Sequence, residues 1–190
     1  MRKYWWLFVC LVVLFCVACN DEKSGEKGSE YRVVYSGEIK TLNYLKTSET
    51  NEFAVAANMV DGLIEYDKYG VVQPGLAKEW SANEDATVWT FKLRDDAKWV
   101  THEGKEYADV VAQDFVDGLQ YVLDAKNESS TAWIATVVKN GEAFYNGEMT
   151  DFKQVGIKAL DEHTVEYTLE ASTPYFSFYV KLRLFLPSEW

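Results

Sequence analysis

From Tyr4 to Ala18 no charged residue interrupts the chain, and from Asn20 to Glu30 no apolar residue appears. The first run is too short for a comfortable membrane span and has the length of a signal-peptide core. The second cannot bury surface and reads as a flexible tether, with residues 19–30 assigned to it. Tyr31 to Tyr35 then alternates as a strand, with Tyr31, Val33 and Tyr35 on one face. Ser36-Gly37 breaks it. Phe53, Ala56, Ala57, Val60 and Ile64 recur at helical spacing, which predicts a helix over Asn51 to Leu63 with Asn51 as N-cap.

Asp67-Lys68-Tyr69-Gly70 reads as a turn, Pro74-Gly75 as an interruption, and Leu76 to Trp80 as a short helical turn. Val88 to Arg94 is the clearest strand. Trp89, Phe91 and Leu93 point one way, and Thr90, Lys92 and Arg94 the other. Gln113 to Leu123 is the clearest helix, with Phe115, Leu119, Val122 and Leu123 on the core face and Asp114, Asp117 and Gln120 on the polar one. A further helix is expected over Thr131 to Tyr145, ended by Asn146-Gly147. Gly156 to Leu160 and Thr164 to Leu169 flank Asp161-Glu162-His163 as a hairpin with Val165, Tyr167 and Leu169 inward. Helices and strands mix without strict alternation, so the expected fold is mixed α/β, of the α+β kind.

Cysteine use sharpens the reading of the N-terminus. Cys10, Cys16 and Cys19 are all the cysteines present, so nothing after Cys19 can form an intramolecular disulfide or a cysteine metal site. Arg2 and Lys3, the apolar core and Val17-Ala18-Cys19 resemble a bacterial lipoprotein signal, residues 1–18, in which the cysteine receives lipid. Cys16 departs from that pattern, where leucine is usual. The other reading is an uncleaved membrane anchor.

The chain of 190 residues carries a formal charge of −11, and cleavage before Cys19 would remove two cations and no acid. Such a domain repels phosphate backbones and shows no basic stripe, so nucleic acid is excluded as a partner. No Gly-x-Ser-x-Gly elbow, phosphate-cradling glycine loop or His-Glu-x-x-His helix is present. His102 and His163 sit in predicted turns and read as surface residues. No enzyme activity, cofactor or metal is expected.

Three segments carry a family resemblance. Leu76-Ala77-Lys78-Glu79-Trp80, followed by Val88 through Trp99, is similar to the signature of the oligopeptide- and dipeptide-binding proteins of ABC importers, extracellular solute-binding protein family 5. Ala112 to Leu119, leading to Leu123-Asp124, resembles that family's next helix. Val155 to Leu169, then Thr173-Pro174-Tyr175-Phe176, resembles its following hairpin. Glu38 to Asn43 and Asp61-Gly62-Leu63 agree with its opening.

The resemblance implies the N-terminal part of a two-lobed clamp that closes on an extended oligopeptide and passes it to permease subunits. It implies a lipid-anchored protein on the extracytoplasmic face of the cell membrane, and residues 31–60 and 168–190 as first-lobe segments around an inserted subdomain, 61–167. Ligand pairing in the family maps to Ser48, Glu49 and Thr50; the alternative is that these three only cap the following helix. Trp133 lies near a position where an aromatic ring approaches the ligand; the alternative is a core tryptophan. The long Val100 to Val111 loop, with Gly104 to Tyr107, points to a Gram-positive cell surface.

Family members are much longer than this chain, so a truncated product or half of a split gene is expected. The apolar run Tyr175 to Leu186 then awaits missing cover, and residues 20–190 alone should bind peptides poorly. The competing functions are a surface adhesin or signalling-peptide receptor on the same scaffold, and an extracytoplasmic hydrolase.

Overall fold

The computed structural model describes residues 32–181. The signal region 1–18, Cys19, the tether, Tyr31 and the end of the apolar run, 182–190, lie outside them. Arg32 to Tyr35 belong to an N-terminal unit, 1–35, and carry no regular secondary structure. The strand expected there is therefore not formed in its described part, since none of the described strands pairs with it and a lone strand leaves its main-chain groups unmatched. The second unit, residues 36–190, holds the fold.

Its centre is an antiparallel sheet of β3 (Ala77–Ala82), β4 (Val88–Leu93), β8 (Thr164–Thr168) and β7 (Ile157–Asp161), in the order β3-β4-β8-β7. Phe91 lies opposite Val165 and Trp89 opposite Tyr167, so the alternating apolar residues of both strands share one face. Helix α2 (Ala112–Leu123) contributes Phe115, Leu119, Val122 and Leu123 to the same buried cluster. Helix α5 (Phe176–Lys181) adds Phe176, whose ring stands 5.3 Å from Tyr167 and 6.0 Å from Trp89. The other sheet face is polar, with Lys92 paired to Glu79 at 2.6 Å. This is a mixed α/β fold. Two small hairpins flank it: β1 (Ile64–Tyr66) with β2 (Val72–Pro74), and β5 (Lys98–Val100) with β6 (Glu106–Asp109).

Four elements differ from the sequence expectation. Helix α1 runs over Thr50–Ala56 and stops well short of Leu63. Asn58 ends it by donating its side-chain amide to the Ala54 carbonyl at 2.8 Å, while the Asn58 and Met59 N–H groups tighten the last turn. Ala77 to Trp80 is strand, because β4 supplies a ladder that outweighs the helical propensity of Ala, Lys and Glu. The helix expected over Thr131 to Tyr145 is two short ones, α3 (Ala132–Ala135) and α4 (Gly141–Tyr145). Val138 bridges Leu169 between them, and Lys139 exchanges main-chain bonds with Thr168 and Gly156, which pulls that stretch off the helical path. Asp114 is buried, not on the polar face. Its carboxylate turns back to the N-terminus of its own helix and takes the Val111 N–H at 3.0 Å.

In the apolar run from Tyr175, Phe176 and Val180 are buried while Tyr175 and Phe178 are exposed. Among the described residues no helix is long and apolar enough to cross a membrane.

Candidate functional site

Ser48, Glu49 and Thr50 lie where an irregular segment enters α1, and all three are exposed. Glu49 stands at the N-cap position in extended conformation, yet its side chain makes no capping bond. Asn51, expected as the cap, is inside the helix and accepts a bond from the Ser36 hydroxyl at 3.3 Å. Among the described residues, neither main-chain group of Ser48 pairs with another main chain.

The segment leading to Ser48 is held from three directions. Asn43 donates its side-chain amide to the Tyr121 phenol oxygen of α2 at 2.9 Å, and its own oxygen takes the Leu45 N–H at 3.2 Å. The Leu45 carbonyl accepts the buried Ser129 hydroxyl at 2.6 Å, and the Lys46 carbonyl accepts the Ser130 N–H at 2.9 Å. Glu52, only 4% exposed, accepts the Lys40 and Thr41 N–H groups at 2.8 and 3.1 Å. The Thr47 hydroxyl, and then those two N–H groups, hold its carboxyl below the usual glutamate range against the opposing effect of burial.

Trp133 sits on α3, which begins just after Ser129 and Ser130, so its helix is tied to the Leu45–Lys46 segment. The residue is 71% exposed, which overturns the core reading. A stiff aromatic surface on a helix tied to a segment that leaves the Ser48 main chain without a main-chain partner can contact an extended ligand without fixing its sequence.

Sequence reasoning did not single out Glu52, Asn43, Tyr121 or Ser129. Glu52 carried one usable signal: it falls four residues before Ala56, on the buried side of the helix. The two histidines are not brought together. His102 is exposed, and His163 caps the β7–β8 turn through its N–H to Asp161. Among the described residues no group of His, Cys, Asp and Glu is placed to hold a metal. A groove of about 620 Å³ lies against α2 and β7, lined by Gln113, Val116, Gln120, Phe152, Lys153 and Ile157 among others; none of Ser48, Glu49, Thr50 and Trp133 lines it.

Comparison with known proteins gives this arrangement a context. Residues 71–188 match the family described as bacterial extracellular solute-binding proteins, family 5 Middle. The oligopeptide-binding protein AliA of Streptococcus pneumoniae is 42% identical over 161 residues, covering 84% of this chain and 24% of AliA. The oligopeptide-binding protein SarA of Streptococcus gordonii is 39% identical over 157 residues, covering 83% and 24%. Among solved structures, Listeria monocytogenes OppA bound to peptide matches with a TM-score of 0.74 at 29% identity, covering 82% of this chain and 30% of that one. The Escherichia coli murein tripeptide binding protein MppA matches at 0.71 and 34%, covering 78% and 28%. The chain spans about a quarter of the length of the curated relatives it matches. On the extent of that match, and on the strand, helix and hairpin segments that carry it, the chain belongs to family 5 of the bacterial extracellular solute-binding proteins.

Proposed function

We propose that this chain forms part of an extracytoplasmic binding protein that captures oligopeptides as extended strands and hands them to the permease of an ABC importer. The observation that carries the reading is Ser48. It is exposed, its main chain has no main-chain partner among the described residues, and it is flanked by a braced segment and by helix α1. A peptide added as a strand pairs through main-chain groups that every peptide shares. The exposed Trp133 on a helix tied to the same segment supports an aromatic contact. The names of AliA and SarA, and the peptide in the Listeria structure, support the ligand class. Binding without cleavage is the reading that the relatives' names, oligopeptide-binding proteins, support.

The same reading gives Cys19 as the lipidation site, residues 19–30 as the tether, and the outer face of a Gram-positive cell membrane as the location. Residues 31–60 and 168–190 belong to the first lobe and 61–167 to an inserted subdomain. In support, every described strand falls between Ile64 and Thr168.

The test is a titration with a mixed short-peptide library, followed at the amide resonances of Ser48, Glu49 and Thr50. Saturable shifts confined to that edge and to the Trp133 indole are expected. Saturable binding that leaves them silent would remove the assignment. For the anchor, Cys19→Ala should stay unprocessed or leave the detergent phase, because stable attachment needs the acyl chains. Normal cleavage with unchanged partitioning would sink it.

A further inference from the structure

Strand β7 is an outer strand of the central sheet, with β8 on one side and no described strand on the other. The ladder fixes which of its main-chain groups face outward. At the two ends of β8, the Leu93 N–H donates to the His163 carbonyl at 2.7 Å and the Leu169 N–H to the Thr87 carbonyl at 2.8 Å. Bonding alternates along an antiparallel strand, so Val165 and Tyr167 between them turn their main chain to β4. Thr164, Glu166 and Thr168 are left to bond β7, and the Thr168 N–H does donate to the Gly156 carbonyl at 2.7 Å. Ile157 and Ala159 lie opposite Tyr167 and Val165, and therefore point their N–H and C=O groups away from the sheet. The Ile157 N–H is taken locally by the Val155 carbonyl at 2.8 Å. Among the described residues, the Ile157 carbonyl and both main-chain groups of Ala159 have no main-chain partner outside the ladder.

This open edge borders the groove of about 620 Å³, a volume within the range of ligand clefts. Side chains alternate along β7, so Ile157 and Ala159 share one face. With Val116 and Phe152 they make the groove's apolar side. Lys158 belongs to the other face of the strand and also lines the groove, as does Lys153. Both lysines are exposed, and neither makes an ion pair among the described residues, although Glu166 stands opposite Lys158 on β8. The acid on the groove wall is Asp151, whose carboxylate accepts the Lys153 N–H at 3.1 Å.

We propose that the β7 edge is a docking site for an extended, acid-bearing segment of a partner protein, added to the central sheet as a fifth strand. The edge defines the occupant. A strand paired to Ala159 sets the residue opposite it on the Val116 and Phe152 side, where an apolar side chain fits. The residues on either side of that one stand on the Lys158 face, where a carboxylate meets an ammonium ion that has no other ion pair. The segment therefore alternates apolar and acidic residues. A second copy of β7 does not meet that requirement, because it offers the Lys158 face only Lys158 and Leu160. The site is separate from the Ser48 edge and stands without it.

The test is a titration of the full chain with residue-resolved amide exchange. The probe is a capped hexapeptide of alternating valine and glutamate, and the control has lysine in place of glutamate. The Val/Glu peptide should bind saturably and slow exchange at Ala159 by about tenfold or more at saturation, as a new main-chain bond implies. The Ser48 and Trp133 resonances should stay in place. The Val/Lys peptide should bind about tenfold more weakly, since the cross-strand pairs change from opposite to like charge. Lys158→Glu should reverse that order of affinity, with the Phe91 and Tyr167 amides still protected.

Equal binding of the two peptides would overturn the acidic occupant, and saturable binding that leaves Ala159 unprotected would overturn the edge. Protection of Ala159 that rises with protein concentration alone would make a second copy the occupant and sink the proposal. Shifts at Ser48 without any at Ala159 would also sink it, and would leave the Ser48 reading standing.

Discussion

The indole Nε1 of Trp99 donates to the Asp114 carboxylate at 2.9 Å. The same oxygen also takes the Val111 N–H, so one buried acid ties hairpin β5–β6 to the start of α2. Burial raises the Asp114 pKa above the usual aspartate range, against the lowering effect of these two bonds. Its neighbour Tyr44 is pushed up to about 12 by burial and then by the Asp114 charge.

Asp114→Ala orphans two part-buried donors and should cost about 1.5–3 kcal/mol in denaturant unfolding. Asp114→Asn keeps an acceptor and should cost less. The sign with pH follows from a raised folded pKa. The stability from protonating Asp114 is present below the unfolded aspartate range and is lost as pH rises through the raised value. Asp114→Asn should therefore gain on the wild type as pH rises from the carboxylate range to neutrality. A constant difference would refute the assignment.

Glu52 should show the opposite dependence. Its folded pKa is depressed, first by the Thr47 hydroxyl, so its contribution is present above the ordinary glutamate range and is lost as pH falls through the lowered value. Protection of the Lys40 and Thr41 amides should fall with pH in the wild type and stay level in Glu52→Gln. A parallel fall in both would point to another acid.

Phe91 is fully buried and edge-on to Tyr167 at 5.9 Å. Phe91→Ala should cost about 3–5 kcal/mol, most of the stability of a small domain. Lys92→Ala, next along the strand on the open face, breaks only an exposed pair with Glu79 and should leave the melting curve in place. Equal effects would mean the strand faces are wrongly assigned.

Gly156 is where β7 leaves its preceding loop, and a Cβ there would lie 2.2 Å from the Thr168 carbonyl oxygen and 2.8 Å from the Lys139 Cβ. Gly104, in the β5–β6 turn, has φ +76° and open space around it. Gly104→Ala should cost about 1–2 kcal/mol, from left-handed strain alone. Gly156→Ala has to push two main-chain segments apart and should cost clearly more. Comparable denaturation midpoints would show that the β7–β8 seam yields more easily than its geometry implies.

The sequence was legible where a single period dominates. Trp89, Phe91 and Leu93 alternate, Phe115, Leu119 and Val122 recur along one helical stripe, and the Asp161 turn separates two apolar runs; all three elements are present. It was opaque where a distant partner decides. Leu76 to Trp80 carries good helix formers, but β4 makes Ala77 to Trp80 strand. The Val138–Leu169 bridge breaks a helix whose local pattern shows no break. Asp114 and Glu52 look like solvated acids in a list of residues. Each is buried because donors from elsewhere, the Trp99 indole and the Lys40–Thr41 N–H groups, converge on it. The family resemblance singled out Ser48 to Thr50, but the bonds that hold the preceding segment arise from folded geometry.

The central seam of the sheet joins Val88 to Thr168 and Lys92 to Thr164. Hairpins β3–β4 and β7–β8 are local and close on a scale of roughly microseconds. Their union has to bring together stretches from opposite ends of the sheet-forming chain, and that loop entropy is spent before any cross-seam contact repays it. Topology therefore sets an order of assembly in which two hairpins wait for each other, while α2 packs on the β7–β8 hairpin. The fold is committed late, at the moment Phe91 meets Val165.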